Sequence, residues 1–257
     1  MLVAALGTLA ITYSVPSASL WADLILYPLV FLPAAIYISG ELRNRRDLNK
    51  IQNISDFKTV PLNSNKFGKV GLPLSFLIIF FLVFSFNIAT EPLYTWMGVP
   101  DFLRDFYENM KVNPWSSFLT IAIFAPLFEE VLCRGIILRG LLQHISPLRA
   151  IVWSAVMFAV MHLNPWQALP AFMVGLFMGW IYWKTGSLWA TIFIHFVNNA
   201  SSFLITILFP QLGADATFAS LMPTKIYIIV LAASIIFTFG AFLFLEKNYD
   251  KSISTEI

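Results

Sequence analysis

From Val70 to Thr90 no residue carries a charge, and that one stretch limits what the chain can fold into more than any other feature. About 20 apolar residues in a helix cross the hydrocarbon core of a bilayer. Backbone N–H and C=O groups find no water there, so a spanning segment is a helix or a strand of a closed barrel. Barrel strands alternate apolar and polar residues over about ten positions. The unbroken run Phe76–Phe84 does not alternate, so the helix is the expected form. Composition agrees, because hydrophobic residues make up 58% of 257 positions and charged residues only 12%. A soluble domain carries about 25% charged residues, and this chain has too few to solvate a globular surface.

The sequence divides into apolar runs at roughly 1–15, 19–40, 70–90, 116–138, 149–163, 168–183, 187–208 and 224–245. The expected fold is all-α, a polytopic bundle of about eight transmembrane helices forming a single membrane domain over 1–257. Within it, 1–114 holds N-terminal spans and a basic linker, 115–210 a core of polar-bearing helices, and 211–257 a final span and tail. Residues 2–13 are apolar and precede the small residues of Val15-Pro16-Ser17-Ala18-Ser19. The start lacks the basic n-region of a signal peptide, so 1–15 reads as a short first span.

Lys and Arg placement orients the bundle. The linker 41–69 holds Arg43, Arg45, Arg46, Lys50, Lys58, Lys66 and Lys69 and is expected in the cytoplasm. Arg139, Arg149, Lys184, Lys247 and Lys251 then fall on the same side, leaving Arg104, Lys111 and Lys225 outside. Both termini are therefore expected to be cytoplasmic, in a multi-pass protein of a bacterial plasma membrane. The lone cysteine, Cys133, excludes an intrachain disulfide and reads as a small packed residue.

Charges inside the apolar runs are few: Asp23, Glu129, Glu130 and Arg134, with Lys184 at an edge. Each central charge costs roughly 2.5–3.5 kcal/mol on insertion scales, and such residues usually face a bundle interior or a hydrated cavity. Asp23 sits near the end of its run, where an interfacial contact suffices. Glu130 and Arg134 are four apart and share a helix face, a spacing equally suited to a structural ion pair and to a supporting role beside an active centre. Glu129 points about 100° away and is free for another partner. His162 closes one run and His195 opens the sequence His195-Phe-Val-Asn-Asn199 in another, with Asn199 on its face. At a rise of about 1.5 Å per residue, Glu129 and Glu130 lie roughly 14–16 Å, His195 roughly 12 Å and His162 roughly 20 Å from the cytoplasmic ends of their runs. One intramembrane site can hold all of them. His144 falls in a loop and is set aside.

Taken in order, Glu129-Glu130-x-x-x-Arg134, Phe158-x-x-x-His162 and His195-x-x-x-Asn199 resemble the motifs of the CAAX protease and bacteriocin-processing family of intramembrane endopeptidases, also called Abi-domain proteins. The resemblance covers about 115–210. It implies that Glu129 with His162 activates a water to attack a peptide bond, and that His195 and Asn199 stabilise the oxyanion. Glu130, Arg134 and Phe158 would support them. It also implies a peptide or protein-tail substrate within the lipid bilayer and no nucleic acid.

The cofactor is open. Glu129, His162 and His195 would make a plausible zinc set with one open position, although no His-Glu-x-x-His helix is present. Two other functions fit the same polar residues. One is a non-catalytic immunity or scaffold protein. The other is a proton-coupled transporter, for which the repeated halves common in such folds are missing, although Pro126 and Pro170 could interrupt helices.

Overall fold

The computed structural model describes residues 62–213 and 216–249, together with positions 24, 26–29, 31–33, 36 and 40. The expected span 1–15, part of 19–40 including Asp23, most of the basic linker and the tail from 250 lie outside the described residues. Among those described there is no strand, and the described positions of 24–40 are helical.

Helix α1 is Leu72–Thr90 and α2 is Asp101–Met110. A continuous helix, α3, runs over 114–141. Then follow α4 (Pro147–Val160), α5 (Pro165–Thr185), α6 (Leu188–Leu208), the short α7 (Phe218–Leu221) and α8 (Thr224–Asn248). Leu72–Leu93, Leu188–Leu208 and Thr224–Asn248 are each long and apolar enough to cross a membrane. The other long helices coincide with the expected runs to within a few residues, but are shorter or more polar. Side chains such as Ile229, Ile236 and Phe239 on α8 are well exposed on the outer surface, as lipid-facing residues are.

The sequence reading treats 91–115 as a linker, whereas the chain folds Asp101–Met110 into an amphipathic helix. Leu103 and Met110, seven apart, are its buried residues, and Asp101, Asp105 and Glu108 are exposed. The two prolines end no helix. Pro170 lies inside the unbroken α5, and Pro126 lies inside α3, where the winding widens on either side.

α4 and α5 pack closely because Gly175 and Gly179 present no side chain. A Cβ on Gly175 would stand 3.1 Å from the Ala155 Cβ, and one on Gly179 would stand 3.0 Å from Ile151 Cγ2. Small residues four apart let helix backbones approach where lipid supplies no hydrophobic drive for association. The main apolar core lies between α1, α5, α6 and α8 and includes Ile79, Leu82, Phe177, Met178, Ile194 and Leu245.

Loops gather at two ends. At one end, Ser64 and Lys66 N–H donate to the carbonyls of Gly186 and Thr185, Asn63 accepts from the Leu188 N–H, and Lys184 pairs with Glu246 at 2.6 Å. At the other, the Trp166 indole donates to the Met97 carbonyl, Phe102 packs edge-on against Trp166, and the Phe218 N–H donates to Glu91.

Candidate active site

Among the described residues Arg134 is the largest fully buried side chain, and its surroundings define the site. Its Nη1 donates to Glu130 Oε1 at 2.8 Å, with both side chains wholly buried, as the four-residue spacing predicts. Its Nη2 donates to the Gly175 carbonyl at 2.9 Å. Gly175 is also the residue that lets α5 close on Ala155 of α4. The guanidinium carbon also lies 4.8 Å from the Phe158 ring centroid, a cation–π contact that gains strength away from water.

His195, on α6, completes this arrangement. Its Nδ1 lies 3.0 Å from Glu130 Oε1. A carboxylate only accepts, so Nδ1 carries the hydrogen. Its Nε2 then faces Glu129 Oε2 at 4.0 Å. Glu130 thus anchors Arg134 and His195 through one oxygen, and Glu129 sits on the opposite side of the imidazole. Glu129 and His195 are each only 4% exposed.

Phe158 explains how the FxxxH spacing works. Its ring meets His195 edge-on at 5.4 Å and His162 edge-on at 5.2 Å, so both imidazoles pack on one ring. His162 Nδ1 lies 3.0 Å from the Phe158 carbonyl, which again assigns a hydrogen to Nδ1. The turn after His162 is held unusually. Leu163 has φ 59, a left-handed backbone that costs a leucine about 1–2 kcal/mol. Asn164 Nδ2 secures it by donating to the His162 carbonyl at 2.9 Å. Strain of this kind is typically kept where a neighbouring group must be aimed.

Asn199 lies on α6 and turns toward α3. Ala125 N–H reaches the Thr120 carbonyl, five residues back, and Pro126 has no N–H at all. Together these leave the Ile121 carbonyl without a helical donor. Asn199 Nδ2 fills that place at 2.9 Å. Because a carbonyl only accepts, this bond fixes the Asn199 amide orientation. Its Oδ1 accepts from Asn198 Nδ2 at 3.1 Å, and Asn198 Oδ1 accepts from Asn87 Nδ2 at 2.9 Å. A single orphan carbonyl therefore orients three amides across α1, α6 and α3.

Glu129, expected to be free, has a partner that sequence spacing could not supply. The Tyr27 hydroxyl donates to Glu129 Oε1. No motif marks Tyr27, whose only signal is a hydroxyl within an apolar run. Gly175 was likewise missed, although Gly175-x-x-x-Gly179 is a recognisable close-packing pattern. Cys133 is fully buried, with Sγ against Met161 Sδ at 3.7 Å, in keeping with a packing role.

Among the described residues, no group of three His, Cys, Asp or Glu side chains forms a metal-holding array. Glu129 and His195 approach one another, while His162 packs on the Phe158 ring and bonds to the Phe158 carbonyl. As arranged, these side chains do not present the three-ligand set that a catalytic zinc takes.

A family model described as Rce1-like, type II CAAX prenyl endopeptidase, matches residues 111–201. Over that segment, about a third of the chain, the sequence is similar to the CAAX protease family. No curated protein and no solved structure gives a significant match. The matched segment contains most of α3 to the middle of α6, and with them Glu129, Glu130, Arg134, Phe158, His162, His195 and Asn199. Tyr27 and Asn87 lie outside it.

Proposed function

We propose that this protein is an intramembrane endopeptidase that hydrolyses a peptide bond with water activated by Glu129. The observation that carries the reading is the buried approach of Glu129 Oε2 to His195 Nε2 at 4.0 Å. The pair is too far apart for a direct hydrogen bond, yet an oxygen about 2.8 Å from both would subtend roughly 90°, suitable for a bridging water. Glu129 takes a proton from that water as the hydroxide adds to the substrate carbonyl. For the next step His195 must carry a hydrogen on Nε2 as well as the one on Nδ1. His195 then donates from Nε2 to the developing oxyanion, and the Asn199 amide hydrogen not spent on Ile121 is a second donor. Each such donor is worth about 2.7–4 kcal/mol in well-studied cases. When the intermediate collapses, the C–N bond breaks and the proton held by Glu129 passes to the leaving amine. In its neutral form His162 offers Nε2 as an acceptor that orients the water or the departing amine.

The family's description as a prenyl endopeptidase supports a peptide or protein-tail substrate presented at the membrane, with the prenyl group as a variable to test. Purified protein in detergent is given tail peptides with and without a farnesyl group. Wild type is expected to cut, and Glu129→Ala and His162→Ala are each expected to lower kcat by roughly 10²–10⁴-fold, the usual worth of an acid–base group. Activity is expected to survive chelation. Loss on chelation that zinc restores would instead assign Glu129, His162 and His195 to a metal. Equal cutting by wild type and Glu129→Ala would end the proposal.

A further inference from the structure

Glu129 has two carboxylate oxygens, and they face different partners. Oε2 faces His195 Nε2, while Oε1 accepts from the Tyr27 hydroxyl. Tyr27 comes from the helical segment near the N-terminus, 102 residues away in sequence and outside the family-matched segment. Its placement is specific. The Tyr27 ring lies against Phe31 at 5.5 Å, Phe31 stacks on Phe128 at 5.4 Å with 18° between planes, and Phe128 meets Phe124 edge-on at 6.2 Å. Phe128 immediately precedes Glu129. This ladder of aromatic rings fastens the N-terminal segment to α3 beside the carboxylate and delivers the hydroxyl to one oxygen.

Resting on the endopeptidase reading, we infer that Tyr27 is a positioning residue for Glu129. A glutamate has three side-chain torsions, and the last is broad. A water-activating carboxylate must keep one oxygen aimed at the water through the reaction, because orientation carries a large part of catalysis. With Oε1 tied to Tyr27, the carboxylate plane is fixed and Oε2 stays toward His195. The N-terminal segment therefore contributes to the chemistry although none of the family motifs falls within it.

Tyr27→Phe keeps the ring and its contacts and removes only the donor. In the peptide assay, kcat is expected to fall about 10–100-fold, the usual scale when a hydrogen-bonding support of a reacting group is removed, while KM stays within twofold. A merely structural tyrosine would leave kcat untouched, and a substrate-reading tyrosine would raise KM; either result overturns the inference. A second measurement needs no substrate. Thermal unfolding in detergent is compared for wild type, Tyr27→Phe, Glu129→Ala and the double variant. Tyr27→Phe is expected to lower the melting temperature of the wild type, and to lower it by less than half as much in the Glu129→Ala background. Equal shifts in both backgrounds would show that the hydroxyl does not act through Glu129. If wild type cuts no peptide, the endopeptidase reading fails, while the unfolding cycle still decides whether the two side chains are coupled.

Discussion

A fully buried ion pair is weak evidence for stability but strong evidence for dependence. Removing water from two charges costs several kcal/mol each, and mutual attraction recovers this only with good geometry. Arg134 supplies such geometry, because one guanidinium serves Glu130, the Gly175 carbonyl and the Phe158 ring. Arg134→Ala leaves Glu130 in a dry interior with only the His195 hydrogen bond and is expected to destabilise the protein by about 3–5 kcal/mol, read as thermal unfolding in detergent. Arg134→Lys keeps the charge, but a single ammonium lacks the planar fork that reaches two acceptors at fixed spacing. It is expected to fold with intermediate stability, and full stability in the lysine variant would show that the bond to Gly175 contributes nothing. Spacing made the Glu130–Arg134 contact legible, since four residues on a helix impose it. His195 and Glu129 were legible as buried polar residues, but their partners were not. Tyr27 is remote in sequence, and no periodicity relates it to Glu129.

At the scale of elements, the departure from a regular helix in α3 is what the sequence hid. Pro126 suggested a break, yet the helix continues by widening before and after Ala125–Glu130. Wide turns of this kind are rare and recur at functional sites. The local reason is chemical: proline has no N–H, so an upstream carbonyl loses its donor, and a side chain from α6 replaces it. Asn199→Ala would leave the part-buried Ile121 carbonyl unsatisfied, and a fully buried acceptor left so costs about 1–3 kcal/mol. Pro126→Ala restores an N–H to the helix and is expected to make the same Asn199→Ala change markedly less costly. A double-mutant cycle of unfolding free energies measures this coupling. Additive effects would mean that Asn199 does not act by closing the gap at Ile121. Asn87 and Asn198 extend the argument to α1, which no family motif reaches.

For the molecule as a whole, charge distribution and chain contacts point to the same arrangement by independent routes. The basic linker, the turn bearing Lys184 and the C-terminal end of α8 were assigned to one side by their lysines and arginines alone. Their described parts now meet, with Ser64 and Lys66 against Thr185 and Gly186, Lys184 against Glu246, and Phe67 against Tyr249. The segments assigned to the opposite side meet one another through Glu91, Met97, Phe102, Trp166 and Phe218. Contacts alone group the loops but give the bundle no sense of up and down; the positive-inside rule supplies it. The expected polarity places the Ser146 turn in the cytoplasm and α2 outside. Cys133 is the only cysteine and is buried, so a Cys133→Ala background lends itself to a direct test. Ser146→Cys and Asn109→Cys, both at exposed positions, are each treated with a membrane-impermeant maleimide. In intact cells Asn109→Cys is expected to label and Ser146→Cys to stay unmodified, and inverted vesicles should exchange the two results. A reversed pattern would invert the bundle, and labelling of both from one face would contradict the grouping of the loops. The outcome also bears on substrate entry. His195 lies about 10 Å along α6 from its Leu188 end, the end assigned to the cytoplasm. On the proposed endopeptidase reading, a substrate tail from that side would meet His195 first, whereas one from the other side would meet the strained turn at Leu163 and His162 first.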